Sequence, residues 1–495
     1  MSALKYVCVS DMHLGAGYSV LTHMDADGEI DLQRPSATLQ SWAKALRATV
    51  SRCSGQELPT LVLLGDVLDL GQSQFGAVAQ GFKRFLEAVF PEGEAPVFSS
   101  HLITVPGNHD HHLWRTAQDR HFLQTLASPR KDGFIPDLLQ HTPLFEPGDI
   151  PCDLMATVMH TYPHLADATV KVAYPNLGLF DAASGRCVVM HHGHYVDAIY
   201  RLMSTISSAF GATDDRPKTV SKLESENGAW VDFLFSSLGS AGKVGKDMDT
   251  LYAMLRDAAA SRQFSQQLTD VLSARLTASF GLGGDTEITH GITVADILKA
   301  LTDVTLVRGA ESERNGYARV LSDDGVSDLR WYLSGPVLRQ FDERSKTTGN
   351  ASPAVHVRDV KELSFVFGHT HKPFQDQLVV PPYARPVAVY NTGGWVMDQP
   401  TMAATQGAAM VFIDDALNLA SLRLFNDPVN GQMPAVHAAG VGGFQDQANP
   451  LLAKMSAAVA TDGELWGTFS AAARAAAELH ASVLLKTFFT PDSNA

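Results

Sequence analysis

Five short polar segments, each rich in aspartate, asparagine or histidine, recur along this chain of 495 residues. Each one follows an apolar run that predicts a β-strand. Side chains of these types offer the oxygen and nitrogen atoms that first-row divalent metals accept. If the strands lie side by side in a sheet, the scattered segments meet in one site. The five segments are Asp11-Met12-His13, Gly65-Asp66-Val67-Leu68-Asp69, Gly107-Asn108-His109-Asp110, His191-His192-Gly193-His194 and Gly368-His369-Thr370-His371.

The apolar pattern at the start of the chain alternates between strands and helices. This alternation favours a layered α/β sheet, in which ligands bind just beyond the carboxyl ends of the strands. Asp11, Asp66 and Asn108 each follow a predicted strand, so we expect all three at that edge. The strands are predicted over 6–9, 61–64 and 102–105, and the helices over 36–50 and 82–90.

The second half of the predicted core is interrupted by a long insertion. Strands over 186–190 and 363–367 lead to the fourth and fifth polar segments. Between these segments, apolar residues recur at helical spacing in 196–210 and in 251–272. The stretch 311–353 is polar with weak periodicity, which predicts a loop. An alanine-rich helix is predicted over 470–486, packed against the body or a second subunit, and the oligomeric state stays open.

The composition limits the classes of function. The formal net charge of −15 argues against a nucleic-acid partner, because such binding depends on Lys and Arg side chains that neutralise phosphates. A small phosphorylated substrate stays compatible with this charge, since bound cations dominate the local field. The four cysteines have no paired spacing, and no segment has the roughly 18 apolar residues of a membrane span. We therefore expect a cytoplasmic protein.

The polar segments suit a centre with two cations. Two cations about 4 Å apart can hold phosphoryl oxygens and lower the pKa of a bound water. Asp66 is the natural bridging carboxylate between them. Asp11 and His13 are separated by one residue, so both can reach the same metal. His369 and His371 have the same spacing and can supply one nitrogen to each metal.

In this order, the five segments resemble the motifs of the calcineurin-like metallophosphoesterase superfamily. The resemblance spans residues 11 to 371 and implies a four-layer α/β fold, a β-sandwich flanked by helices, here with a mainly helical insertion. It also implies two divalent metal ions, with Mn preferred over Fe, Zn, Co or Mg. The implied ligands are Asp11, His13, Asp66 and His371 for the first metal, and Asp66, Asn108, His192 and His369 for the second.

The resemblance also implies how catalysis proceeds. A hydroxide that bridges the metals would attack phosphorus, and His109 would donate a proton or hydrogen bond near the leaving oxygen. Asp110 would orient His109, whereas Asp69 would support the loop. His192 is preferred as the ligand in the fourth segment because it precedes a glycine. His194 would then reach toward the substrate.

Histidines next to the implied ligands are less constrained by the motifs. His191 should point to the opposite face of its strand, since successive side chains alternate. His111 and His112 follow the third segment, and they either line the entrance to the site or lie on the solvated surface.

These features predict a phosphohydrolase that acts on a phosphomonoester or phosphodiester of a nucleotide or another small molecule. One alternative resembles the bacterial UDP-diacylglucosamine pyrophosphatases, with a helical cap for acyl chains and contact with lipid or a membrane surface. A DNA exonuclease subunit and a non-catalytic scaffold are further alternatives. The predicted domains are a core over 1–195 and 356–430, an insertion over 196–355 and a helical extension over 431–495.

Overall fold

The computed structural model shows two β-sheets packed face to face, with helices on their outer faces. This confirms the predicted α/β sandwich. The structure describes residues 3–127, 135, 137–145, 148–210, 216–235, 266, 269–270, 273–274, 283–289, 292–302, 321–343, 355–397, 401–426, 430–443, 446 and 448–489.

The larger sheet has seven strands, and its centre is parallel. Its strands are β1 (Leu4–Val9), β4 (Thr60–Leu63), β5 (His101–Thr104), β6 (Thr169–Val172), β14 (Gly407–Asp414), β15 (Leu419–Asn426) and β16 (His437–Ala439). Their spatial order is β16-β15-β14-β1-β4-β5-β6. The neighbours β1, β4, β5 and β6 pair in parallel, so their carboxyl ends meet at one edge. The strands from β14 onward are antiparallel.

The smaller sheet has five strands and delivers the two later polar segments. Its strands are β7 (Asn176–Asp181), β8 (Arg186–His191), β11 (Glu362–Phe367), β12 (Phe374–Leu378) and β13 (Val387–Asn391), in spatial order β12-β13-β11-β8-β7. The central strands β8, β11 and β13 are parallel. Two short hairpins lie apart from both sheets, namely β2 (Thr22–Met24) with β3 (Ile30–Pro35) and β9 (Glu287–Thr289) with β10 (Ile292–Thr293).

Helices pack around the two sheets and form most of the described insertion. They are α1 (Ala37–Cys53), α2 (Phe75–Val89), α3 (His112–Ala127), α4 (Asp153–Met159), α5 (Leu202–Phe210), α6 (Val220–Phe235), α7 (Val294–Thr302), α8 (Asp323–Tyr332), α9 (Leu338–Glu343), α10 (Pro450–Thr461) and α11 (Gly463–Phe489). Helix α1 begins after Ser36, whose hydroxyl accepts a hydrogen bond from the Leu39 N–H at 3.0 Å. Trp42, Leu46 and Val50 lie on its buried face, and its position agrees with the helix predicted over 36–50.

An apolar core between the two sheets fixes how they face each other. Val62 and Val105 of the larger sheet and its loops pack in one cluster with Val188, Met190 and Val366 of the smaller sheet. All five are essentially inaccessible to solvent. Because both sheets present their carboxyl edges on the same side of this core, the polar segments converge.

The described part of the insertion is more helical than the sequence suggested. The loop predicted over 311–353 is wrong for 321–343, where α8, a π-helical turn (Leu333–Val337) and α9 follow one another. Leu329, Tyr332 and Phe341 are buried. Pro336 interrupts the regular hydrogen-bond ladder, so the apolar residues do not keep a single helical period. The helical stretch predicted over 251–272 lies largely outside the described residues, and the predicted domain limits stay a prediction.

Within the described residues, every helix is too short or too polar to cross a lipid bilayer.

Candidate metal centre

The strand ends bring five loops to one point. Asp11, Asp66 and Asn108 follow the adjacent parallel strands β1, β4 and β5, whereas His192 and His369 follow β8 and β11. Backbone hydrogen bonds connect the loops: the Asp11 N–H donates to the Gly65 carbonyl at 3.0 Å. Backbone hydrogen bonds of this kind between loops fix the positions of the polar segments relative to one another at the sheet edges.

Five of the predicted ligand residues have an unusual backbone conformation. Non-glycine residues rarely adopt positive φ, which costs of the order of 1–3 kcal/mol each and occurs often at functional sites. The surrounding loops must therefore hold these residues in place. The residues and their φ angles are Asp11 at 51°, His13 at 45°, Asp66 at 50°, His369 at 69° and His371 at 56°.

Glycines let the backbone approach the carboxylates. A β-carbon at Gly107 would lie 2.3 Å from Asp66 Oδ1, and one at Gly368 would lie 2.2 Å from Asp11 Oδ2. Neither distance is sterically allowed, so any larger residue at these positions would displace a predicted ligand.

The predicted ligands fall into two groups of close donor atoms. Asp11, His13 and His371 form one group, and Asp66, His192 and His369 form the other; within each group the donor atoms lie within 4.8 Å of one another. Each group contains three of the four residues of one implied ligand set: Asp66 lies outside the first group, and Asn108 is not a member of the second.

Individual contacts place Asn108 and His192 beside Asp66, the predicted bridging carboxylate. His192 Nε2 lies 3.2 Å from Asp66 Oδ2 and 3.1 Å from the amide oxygen of Asn108. In the first group, His371 Nε2 lies 3.3 Å from Asp11 Oδ1. The structure thus brings all seven predicted ligands together at one edge of the sandwich.

The orientation of two imidazoles fits cation binding. The Nδ1 of His192 lies 3.0 Å from the Leu64 carbonyl, which can only accept, so Nδ1 carries the proton and Nε2 is presented to the ligand group. His13 Nε2 is buried and makes no hydrogen bond. A buried, unpartnered nitrogen is costly unless it binds something, and a metal ion fits this donor set.

The charge balance of the centre also calls for a cation. Burial opposes ionisation of Asp66, but the neighbouring His192 and His109 outweigh it and hold the Asp66 pKa well below its ordinary value. Burial likewise opposes protonation of His192, yet Asp66 and Asp11 raise the pKa of His192 to about 9. The carboxylates therefore draw a positive charge into the site, which a divalent metal would supply.

His109 is paired with a different aspartate from the one expected. Its Nδ1 lies 2.8 Å from Asp69 Oδ1, and Asp69 is fully buried. Asp69 also accepts hydrogen bonds from the Tyr18 hydroxyl at 3.1 Å and the Ser73 hydroxyl at 2.8 Å. Burial opposes protonation of His109, but the charges of Asp66 and Asp69 outweigh it and raise the His109 pKa. The orienting role predicted for Asp110 thus falls to Asp69.

Asp110 instead holds the loops that carry the ligands. Its carboxylate accepts hydrogen bonds from the backbone N–H groups of Gly107 at 2.6 Å, Asp66 at 3.1 Å and Val67 at 3.1 Å. The partner that the resemblance implied for His109 was wrong, because the Asp110 carboxylate turns back toward the loop after β4. Asp110 therefore stabilises the geometry of Asp66 and does not itself orient the histidine.

The three histidines of the fourth segment separate clearly in the structure. His192 lies in the ligand group, whereas His191 packs against Tyr332 and Phe365 on the other face of β8. His194 is fully buried, and its Nε2 lies 3.4 Å from the Tyr174 hydroxyl. Because His194 is enclosed by aromatic rings, its surroundings correct the prediction that it reaches toward the substrate.

A second buried polar cluster lies behind the centre. His111 is fully buried, which corrects its expected position at the entrance or surface. Its Nδ1 lies 2.6 Å from Asp232 Oδ1 of α6, and its Nε2 lies 3.3 Å from Glu224 Oε1 of the same helix. The Tyr174 hydroxyl donates to Glu224 at 2.8 Å. This cluster fastens the insertion to the loop that carries Asn108.

Sequence reasoning missed three residues that touch the centre. Tyr18 lies next to His13 and Asp69, while Asp197 and Tyr200 contact predicted ligands from the start of the insertion. None of them belongs to a polar segment that follows a strand, so the sequence carried no signal for them. At the end of β13, Asn391 donates a hydrogen bond to the Gly368 carbonyl at 2.8 Å and so supports the fifth segment.

The α/β sandwich fold and the cluster of carboxylates and histidines at its edge are typical of metal-binding domains. The family model of the calcineurin-like phosphoesterases matches residues 4–232 of this chain. This match agrees with the superfamily that the motif order predicted. A comparison with curated proteins found no match to the chain.

Proposed function

We propose that this protein is a phosphohydrolase that uses two divalent metal ions, with Mn²⁺ as the preferred ion, to hydrolyse a small phosphoester. The observation that carries the proposal is the convergence of both ligand groups with the His109–Asp69 pair in one buried site. The first ion would be held by Asp11, His13, Asp66 and His371, and the second by Asp66, Asn108, His192 and His369. Bound ions of this kind polarise phosphoryl oxygens and lower the pKa of a water molecule.

The side chains of the protein would complete the reaction. Since the Nδ1 of His109 faces the Asp69 carboxylate, its Nε2 can hold the proton that the leaving oxygen takes up. The Asp69 charge stabilises the protonated imidazole and keeps the ring from rotating. His109 is the more exposed member of the pair, with 10% side-chain exposure against 0% for Asp69, so it is the member that a substrate could reach.

The alternatives receive less support. Leu202, Leu223 and Val231 of the insertion are buried in the protein core, so they are not available to the acyl chain of a lipid substrate. A non-catalytic scaffold would not need a complete ligand set together with the His109–Asp69 pair. The charge of −15 weighs against a DNA exonuclease.

A phosphoester panel with Mn²⁺ tests the proposal and separates the ester classes. We expect Mn²⁺-dependent hydrolysis of para-nitrophenyl phosphate or its bis ester, abolished by a chelator, with the better substrate distinguishing a phosphatase from a phosphodiesterase. The exposed Asp376→Asn variant is the matched control and should retain activity. Absence of hydrolysis across the panel, with no Mn²⁺ bound after reconstitution, would overturn the proposal.

Metal content provides an independent prediction. The wild-type protein should bind two Mn²⁺ per chain, counted from the free-ion signal in electron paramagnetic resonance. Asp66→Asn should weaken both sites, because this carboxylate serves both ions, whereas His371→Ala should weaken only one. Loss of a single ion in Asp66→Asn would contradict the bridging role of Asp66.

A further inference from the structure

A short turn at the start of the insertion reaches the second ligand group. The turn consists of Asp197 and the 3₁₀ segment Ala198–Arg201, and it follows the fourth polar segment directly. Two of its side chains face predicted ligands of the second metal. We call residues 197–201 the entry turn.

Asp197 contacts a ligand histidine from outside the ligand group. Its Oδ2 lies 3.4 Å from His369 Nε2. Among the described residues, the second ligand group consists of Asp66, His192 and His369 and does not include Asp197. A carboxylate that contacts a ligating histidine in this way fixes the orientation of the ring.

Tyr200 orients the amide ligand. Its hydroxyl accepts a hydrogen bond from Asn108 Nδ2 at 3.2 Å, so the amide oxygen of Asn108 is turned toward His192 Nε2, 3.1 Å away. The Tyr200 ring also packs on His369 with a centroid separation of 5.1 Å, and the residue is only 4% exposed. One tyrosine therefore restrains two predicted ligands of the same metal.

The entry turn is itself anchored to a distant part of the insertion. Arg201 Nη2 lies 2.5 Å from Asp328 Oδ2 of α8, and its guanidinium group stacks over the Trp331 ring at 4.7 Å. The Arg201 and Asp328 side chains are only 7% and 13% exposed. The position of Asp197 and Tyr200 therefore depends on the packing of α8.

We infer that the insertion completes the metal centre: through Asp197 and Tyr200, the entry turn positions His369 and Asn108 for the second metal ion. This inference rests on the proposed function, which assigns both residues as metal ligands. Asp197 and Tyr200 act through the ligands as positioning residues. The insertion thus serves metal binding, separately from any contact with a substrate.

Substitutions at Asp197 separate this role from local folding. Asp197 Oδ1 accepts a hydrogen bond from the Ile199 N–H at 3.1 Å and so caps the 3₁₀ segment. Serine and asparagine also cap well, but serine is too short to reach His369. Asp197→Ser therefore keeps the cap and loses the histidine contact, while Asp197→Asn keeps the reach and loses the charge.

The experiment is a Mn²⁺ titration of the full-length protein, followed by electron paramagnetic resonance, with the thermal midpoint of the metal-free protein measured in parallel. In Asp197→Ser we expect one of two Mn²⁺ sites to weaken by about 10- to 100-fold, with the other site and the metal-free midpoint unchanged. Asp197→Asn should give a smaller effect. Tyr200→Phe should weaken the same site.

Three outcomes would overturn the inference. The first is two sites of wild-type affinity in Asp197→Ser, and the second is equal weakening of both sites together with a lower metal-free midpoint. The third is a wild-type protein that binds no Mn²⁺, which would also overturn the proposed function. In the first two outcomes the wild type still binds two ions, so they would refute the positioning role and leave the proposed function intact.

Discussion

Replacing His109 by alanine should lower kcat by about 10²- to 10⁴-fold, the usual contribution of general acid catalysis, while two Mn²⁺ ions stay bound. The reason is that the imidazole holds a proton against the Asp69 carboxylate at 2.8 Å but is not a member of either predicted ligand set. Steady-state kinetics and metal content of the same preparation measure both effects. His121→Ala, on the partly exposed face of α3, is the matched control and should leave kcat unchanged.

The pH profile of Asp69→Asn examines the same pair. Asp66 and Asp69 raise the pKa of His109 against the opposing effect of burial, so removing the Asp69 charge should lower that pKa. If protonated His109 is the active form, kcat falls as pH rises through its pKa. The alkaline limb of the profile should therefore move to lower pH in Asp69→Asn. An unmoved limb, or loss of metal in His109→Ala, would contradict the assigned role.

Replacing His111 by glutamine should destabilise the protein by about 3–5 kcal/mol, because it removes the buried cation that faces Glu224 and Asp232. The free energy of unfolding in urea, measured with a chelator present, records this loss. The double variant His111→Gln with Glu224→Gln should recover part of it, since the unpaired charge is also removed. Additive losses in the double variant would show that the pair is not coupled.

The same substitution has a defined pH dependence. Burial alone would lower the His111 pKa, but Glu224 and Asp232 outweigh it and raise that pKa from 6.5 to about 9. A pKa that is higher in the folded state contributes stability that is complete below the unfolded pKa and is lost as pH rises through the folded one. The stability gap between wild type and His111→Gln should therefore shrink from pH 6.5 to above 9. A constant gap over this range would contradict the ion pair.

Much of the site could be predicted because its signals are local. Apolar strands followed by Asp, Asn or His placed Asp11, Asp66 and Asn108 at the edge of one sheet, and strand alternation separated His191 from His192. Both patterns depend on residues within a few positions of each other, which propensity and periodicity record.

The partners of these residues could not be predicted in the same way. His109 lies beside Asp110 in sequence but pairs with Asp69, 40 positions away, and Tyr200 meets Asn108 across 92 positions. Such contacts depend on how loops cross at the end of the sandwich. The local sequence does not show where the loops cross. Before the sheets pack, each polar side chain could pair with any of several residues from other loops.

By itself, the sequence determined the layered α/β sheet, the chemical types of the predicted ligands and their order along the chain, since strand periodicity and strand-end residues are local properties. The sandwich followed only from the resemblance of the motifs to a known superfamily. Only the tertiary structure decided that Asp69 orients His109, that His111 and His194 are buried, and that Asp197 and Tyr200 enter the centre from the insertion. The physical reason is that burial and electrostatic pairing depend on distances between segments, which are set when the two sheets and the insertion pack together.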